Sequence, residues 1–97
     1  MFDFGKMGAL KAQMDEIKSK LETMTVTESI QNNAVSITIN GNKRITSINI
    51  NEEILEDKDI AEDLILLAVN KAMEKAEKLN EQEMQGAASS LLGGLNL

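Results

Sequence analysis

The stretch from Ala34 to Ile50 constrains the fold more than any other part of the chain. Two runs of alternating apolar and polar residues flank Asn40-Gly41-Asn42 there. Alternation with a period of two is typical of strands with one buried face, and Asn-Gly tolerates the positive φ angles of a two-residue hairpin turn. The pattern therefore predicts a β-hairpin.

A preceding strand at residues 25–31, joined through Asn32-Asn33, would complete a three-stranded antiparallel meander. Two-residue loops pair odd-numbered with even-numbered residues, so one face of this sheet collects the branched apolar side chains. These are Val26, Ile30, Val35, Ile37, Ile39, Ile48 and Ile50. The opposite face is polar, with Ile45 as its one apolar exception.

One helix is predicted before the three strands and a second helix after them. The first runs from about Lys6 to Met24 and carries a heptad seam, whose members are Met7, Leu10, Met14, Ile17, Leu21 and Met24. The second runs from about Ile60 to Met84 with Asp59 as its cap. It is apolar nearly all round from Leu64 onward, which indicates burial on more than one side and favours a dimer.

The last residues of the chain differ in composition from the rest. From Gly86 onward the sequence is small and glycine-rich, with leucines at 91, 92, 95 and 97. We therefore expect one domain over residues 1–85 and a flexible tail over residues 86–97. A protein partner is a candidate to cover the leucines of this tail.

The composition excludes several classes of function. The chain has no Cys and no His, which removes thiol chemistry, Cys/His zinc sites and imidazole catalysis. Neither a phosphate-binding glycine loop nor an EF-hand spacing is present, so we expect no enzyme, no cofactor and no metal. The N-terminus lacks a signal-peptide pattern and the longest apolar run is too short to span a bilayer. A cytoplasmic protein without membrane contact is expected.

Charge is distributed unevenly over the chain. The formal net charge is −6, but residues 1–50 hold six Lys/Arg against five Asp/Glu, a net of +1, while residues 51–97 hold four against eleven, a net of −7. The lysines beside the first heptad seam either extend over the edge of the core, or indicate an acidic partner helix, an offset pairing with a second copy of this helix, or an anion. Any affinity for a polyanion must come from local clusters.

The order of elements and particular residues resemble the YbaB/EbfC family over roughly residues 7–85. The similarity is carried by the opening helix, by Val35-Ser-Ile-Thr-Ile-Asn-Gly, by Ile48-Asn-Ile, and by Asp63-Leu followed by Ala68-Val-Asn-Lys-Ala. The resemblance implies an α+β homodimer with projecting helical arms. It also implies binding of double-stranded DNA with little sequence preference, and a role in nucleoid organisation and gene regulation.

DNA binding of this kind requires cations that contact phosphates. The candidates are Lys6, Lys11, Lys18 and Lys20 on the first helix, Lys71, Lys75 and Lys78 on the second, and Lys43 and Arg44 in the hairpin. The lysines of the second helix have an alternative, which is pairing with Glu74, Glu77 and Glu81.

An acidic dimeric adaptor with little DNA affinity is the competing interpretation. The net negative charge and the leucine-rich tail favour it, and its partner would bind the tail or the heptad seam. The two interpretations differ in where the lysines point: DNA binding requires that they line one concave surface of the dimer.

Overall fold

The structure is a computed structural model that describes the backbone of residues 4–94 and the side chains of residues 8–90. In chain order it contains α1 (Phe4–Thr23), β1 (Thr25–Ile30), β2 (Val35–Asn40), β3 (Ile45–Ile50), a short 3-10 helix (Glu52–Glu56) and α2 (Lys58–Gly94). The strands form one antiparallel sheet in the order β1-β2-β3. The predicted α+β class and meander topology are confirmed.

Strands β1 and β2 pair in the predicted register. Val26 lies opposite Ile39 and Ile30 lies opposite Val35. Val35, Ile37 and Ile39 are completely buried and form the centre of the core. Alternation along β2 therefore separates a core face from a polar face, as the sequence pattern indicates.

The turn between β2 and β3 differs from the predicted one. Positive φ occurs at Lys43, at 64°, and not at Gly41 or Asn42. The Lys43 amide donates to the Asn40 carbonyl at 3.0 Å, and the Asn40 amide donates to the Arg44 carbonyl at 2.9 Å. This is a three-residue loop in which a left-handed residue follows a β-turn. The prediction of a two-residue turn was wrong.

A β-bulge changes the face on which Ile45 lies. Thr38 faces Ser47, but Ile39 faces Ile45, so Thr46 is an extra residue on β3. Ile45 is consequently half-buried against the core cluster. The prediction that Ile45 is an apolar exception on the polar face was wrong, because simple alternation does not reveal an inserted residue.

Helix α2 covers the apolar face through alanines spaced four residues apart. Ala68, Ala72 and Ala76 are completely buried against the sheet, and their small side chains let the helix approach closely. α2 lies mainly over β1 and β2. Ile48, on the inner face of β3, stays 51% exposed, so α2 leaves one side of the sheet uncovered.

The N-terminus of α2 is capped two residues earlier than predicted. The Asp57 carboxylate accepts hydrogen bonds from the amides of Asp59 and Ile60 at 3.1 and 3.2 Å. The assignment of Asp59 as the cap was therefore wrong. Two successive carboxylate residues cannot be ranked as caps by spacing alone.

The C-terminus of α2 extends beyond the predicted end at Met84. The helix continues through Gly86 to Gly94, because the segment after Gly86 is rich in Ala and Leu and contains no proline. The division into a domain of residues 1–85 and a flexible tail of residues 86–97 stays a prediction, although its boundary falls inside a continuous helix. The side chains of the tail leucines lie outside the described residues.

The two helices lie side by side beyond the sheet. α2 has 37 residues and is therefore about 55 Å long, whereas six-residue strands span about 20 Å. Lys20 pairs with Glu83, and Gln13 lies in the same groove as Ser90, so the helices run antiparallel. We call residues 8–20 of α1 together with residues 83–90 of α2 the arm.

The heptad seam of α1 is buried only at its C-terminal end. Leu21 is completely buried and Ile17 is half-buried, but Met14 and Leu10 are 44% and 48% exposed.

Among the described residues, no helix combines the length and the apolar character needed to cross a bilayer.

Candidate nucleic-acid interface

A groove of about 380 Å³ lies where α1, the β2–β3 turn and α2 meet. We call it the junction groove. Its lining residues are Lys18, Glu22, Asn42, Arg44, Asn80 and Met84. It therefore brings together one cation of the first helix and one of the hairpin, which the sequence pattern assigned to separate sites.

The polar groups of the junction groove are held by hydrogen bonds. The Asn42 side-chain amide donates to the Lys18 carbonyl at 3.0 Å and to the Glu22 carboxylate at 2.7 Å. The buried Asn40 side chain accepts from the backbone amides of Asn42 and Arg44. Lys18 and Arg44 are themselves exposed, so two cations and one carboxylate face solvent over a well-ordered turn.

A second groove, of about 650 Å³, lies on the other side of the α1–α2 contact. We call it the arm groove, and it is lined by Gln13, Glu16, Ile17, Lys20, Glu83, Gly86, Ala87 and Ser90. The Lys20 ammonium lies 2.9 Å from the Glu83 carboxylate. Lys20 therefore lines the arm groove and not the junction groove, and its charge is partly compensated.

The lysines of α2 share one helix face but differ in their partners. Lys71, Lys75 and Lys78 are spaced four and three residues apart and are exposed. Lys75 pairs with the Glu28 carboxylate on β1 at 2.5 Å, and that carboxylate is only 16% exposed. Among the described residues Lys75 thus pairs across to the sheet rather than along its own helix.

Of the remaining candidate cations, Lys11 and Lys43 line neither groove. Lys11 is exposed on the arm and Lys43 is exposed in the turn, while the side chain of Lys6 lies outside the described residues. The candidates whose side chains the structure describes therefore do not form one continuous surface within a protomer. Lys18 and Arg44 line one groove, and Lys20 and Lys75 pair with carboxylates.

Comparison with known proteins assigns the family. A sequence model of the YbaB/EbfC DNA-binding family matches residues 3–91. A nucleoid-associated protein of Flavobacterium johnsoniae is 34% identical over 87 residues, covering 87% of this chain and 82% of the relative. One from Clostridium acetobutylicum is 38% identical over 87 residues, covering 88% and 74%. The chain belongs to the YbaB/EbfC DNA-binding family.

A solved structure shares the fold of this YbaB/EbfC protein. An uncharacterized protein from Helicobacter pylori superposes with a TM-score of 0.68 at 20% sequence identity, covering 78% of this chain and 90% of that chain. The match supports the helix, sheet and helix order described above. The YbaB/EbfC family is a family of nucleoid-associated DNA-binding proteins rather than of enzymes, which confirms the expectation that the chain is not an enzyme.

Sequence patterns identified Lys18 and Arg44 as candidate cations but did not identify the two asparagines that join them in the junction groove. Asn42 was assigned only to the turn, and Asn80 was not singled out, although its side chain donates to the Gly41 carbonyl at 3.0 Å. A local signal exists for Asn80, because Asn has lower helix propensity than the Glu and Lys residues around it. Its partner could not be inferred, since it lies far away along the chain.

Proposed function

We propose that this YbaB/EbfC protein forms a homodimer that binds double-stranded DNA through phosphate contacts with little sequence preference. It would thereby affect nucleoid organisation and gene regulation, in the nucleoid of the cytoplasm. The observation that carries the proposal is that Lys18 and Arg44, from separate elements, line one groove at the base of the arm. The family and the printed names of the relatives support it.

Phosphate contacts, rather than base readout, suit the side chains present. Lysine ammonium groups are flexible point charges that contact phosphates without reading sequence. The chain has no Trp or Tyr, and its two Phe are Phe2 and Phe4, so residues that could stack on unpaired bases are scarce. Duplex DNA is therefore favoured over single strands.

Much of the acidic charge behind the net −6 lies away from the arm, which itself holds three Lys and three Asp/Glu. Seven carboxylate residues lie between Glu52 and Asp63, at the start of α2, whereas the arm contains its end. From Lys58 to Glu83 the helix rises about 38 Å, and charges are screened over about 8 Å at physiological salt. The acidic end and the arm therefore act on a ligand almost independently.

The dimer is inferred from apolar surface that one protomer leaves uncovered. Ile48, Leu66 and Leu67 are 51%, 62% and 43% exposed. Large apolar side chains left exposed on a strand and on a helix indicate surface that a partner protein covers. A second copy that covers this side of the sheet and α2 would leave both arms free to contact one duplex, which doubles the number of available cations.

Fluorescence anisotropy of a labelled duplex, titrated at several salt concentrations, tests the proposal. Lys18→Glu is compared with Lys58→Glu, which makes the same change of charge at the acidic end, where Lys58 lies 3.7 Å from Glu62. We expect Lys18→Glu to weaken binding several-fold and to flatten the salt dependence, because phosphate contacts release counterions. Lys58→Glu should change little.

Absence of binding by the parent protein at low salt would refute the DNA proposal. Equal losses in Lys18→Glu and Lys58→Glu would show that total charge matters and that the arm does not. The dimer is tested separately, by the mass of the protein in solution with and without Ile48→Glu.

A second candidate function is an acidic dimeric adaptor. It is favoured by Leu10 and Met14, which are 48% and 44% exposed on the arm and lie between flanking lysines. A protein partner would cover this seam or the C-terminal tail. Capture of one defined protein by the parent chain and not by Leu10→Gln, together with no DNA binding, would favour this function.

A further inference from the structure

The direction of α1 is set by few contacts outside its last turn. Leu21 is its one completely buried apolar residue among the described side chains, and Leu10 and Met14 are largely exposed. Most helices in proteins are held by packing of an apolar face. The first half of α1 lacks such packing, so its orientation depends on how its C-terminal turn is attached.

The β2–β3 turn provides that attachment. The Gly41 amide donates to the carbonyls of Leu21 and Met24 at 3.0 and 2.9 Å, which satisfies acceptors that a helix end leaves without a partner. An added Cβ at Gly41 would lie 2.6 Å from Leu21 Cδ2 and 3.1 Å from the Leu21 carbonyl oxygen. Glycine is therefore needed here for close approach and not for a positive φ.

Two asparagine side chains extend this attachment to both helices. The Asn42 amide donates to the Lys18 carbonyl and the Glu22 carboxylate on α1, and the Asn80 amide of α2 donates to the Gly41 carbonyl. The turn is thus hydrogen-bonded to α1 on one side and to α2 on the other. Among the described side chains, the other polar link between the helices is the Lys20–Glu83 pair. Its lysine is 61% exposed, so the pair is weak.

We propose that Asn42 and Asn80 are positioning residues that fix the direction of α1 and thereby the placement of Lys11 and Lys18. The part that concerns DNA rests on the proposed function. Lys11 lies about 15 Å from Leu21 along the helix, so a tilt of about 20° displaces it by about 5 Å. A displacement of this size separates an ammonium group from a phosphate, so a freely tilting α1 binds DNA with a lower effective affinity.

The direct test measures the orientation of α1 without DNA. The chain has no cysteine, so spin labels can be placed at Ala12→Cys on α1 and Asn70→Cys on α2, both exposed. Dilution with unlabelled protein isolates the distance within one protomer. Asn42→Ala is compared with Asn49→Ala, which removes an exposed amide from β3, far from α1 in the fold.

We expect a broader distance distribution in Asn42→Ala and in Asn80→Ala, and the parent distribution in Asn49→Ala. An unchanged distribution in both of the first two variants would overturn the proposal. Far-ultraviolet circular dichroism and the dimer mass check that each variant is folded. Asn80→Ala removes the hydrogen bond from α2 to the turn and leaves the sequence of the turn unchanged. It therefore distinguishes loss of the attachment from a change in the turn itself.

DNA binding gives the second readout. Asn42→Ala should bind duplex DNA about 3- to 10-fold more weakly, the effect of losing one net hydrogen bond, with the slope of log affinity against log salt unchanged, because no cation is removed. A steeper or flatter slope would contradict positioning. If the parent protein does not bind DNA, the proposed function fails while the distance measurement still decides the orientation of α1.

Discussion

The two helices of this YbaB/EbfC protein are attached to the sheet in different ways. α2 is held by burial, since Ala68, Ala72 and Ala76 are completely covered by the sheet. α1 is held mainly at one end, by Leu21 and by hydrogen bonds to the β2–β3 turn. Burial acts along the whole contact, whereas a few directional bonds act at one point.

Because the two helices are attached differently, α2 should determine the stability of the fold and α1 should determine where the lysines of the arm lie. Substitutions along the buried face of α2 should change the free energy of unfolding, because apolar burial is the main stabilising contribution to folding. Substitutions along the exposed part of α1 should leave that free energy nearly unchanged and affect what the arm contacts. Matched changes in the two regions test this separation, at one fixed protomer concentration because the proposed dimer would contribute to apparent stability.

The largest contrast is expected for truncation of an apolar side chain. Ile39→Ala removes a completely buried side chain and should lower the free energy of unfolding by about 2–5 kcal/mol. Leu10→Ala, at a position that is 48% exposed, should lower it by less than about 1 kcal/mol. Urea unfolding followed by circular dichroism measures both, and similar losses would show that α1 is packed as tightly as the sheet.

Enlargement of an alanine should give the next largest contrast. Ala72→Leu places a large side chain where the helix touches the sheet, and overpacking costs about 1–3 kcal/mol. Ala12→Leu is the matched change on α1, at an exposed position, and should stay within about 0.5 kcal/mol. A tolerated Ala72→Leu would mean that α2 can move away from the sheet, which contradicts the close approach described above.

Local pattern was sufficient for the sheet. Apolar residues at every second position placed Val35, Ile37 and Ile39 on the core face, and the pairing of Ile30 with Val35 confirms the register. The bulge at Thr46 was not predictable, because one inserted residue leaves the composition of a strand unchanged. The register of β1 and β2 follows from the sequence because the alternation and the turn residues agree. The register of β3 near its start does not, because the bulge adds one residue.

Tertiary contacts account for what local pattern missed in the candidate interface. Gly41 was assigned to a positive φ, but it is required because Leu21 lies against it. The spacing of the lysines placed Lys11 and Lys18 beside the heptad seam, and both are exposed in the structure. It did not predict that Lys20 and Lys75 contact Glu83 and Glu28 or that Arg44 joins Lys18, because these partners are distant along the chain.

The start of α2 provides a smaller contrast, between the carboxylates of Asp57 and Asp59. Asp57→Ala removes the acceptor of two amides at the start of α2 and should cost about 1 kcal/mol. Asp59→Ala is the control, because its carboxylate is not the cap, and should cost a few tenths through the helix dipole alone. Thermal unfolding of both variants distinguishes them, and a reversed order would restore the cap indicated by sequence spacing.

The smallest effect on stability is expected at the ion pair of the arm. Glu83→Gln removes the carboxylate 2.9 Å from Lys20, whose side chain is 61% exposed, and should change the free energy of unfolding by no more than about 0.5 kcal/mol. On the proposed function the same change releases a cation for phosphate. DNA binding should then tighten, and the salt slope should steepen by about 0.9 for one added contact.

Glu62→Gln gives the control for that last effect. It removes the partner of Lys58, at 3.7 Å, with the same change of net charge but at the acidic end of α2. If both variants tighten DNA binding equally, the total charge of the protein governs its affinity and α1 has no special role. A gain confined to Glu83→Gln would locate the DNA contact on the arm, in the region that contributes least to the stability of the fold.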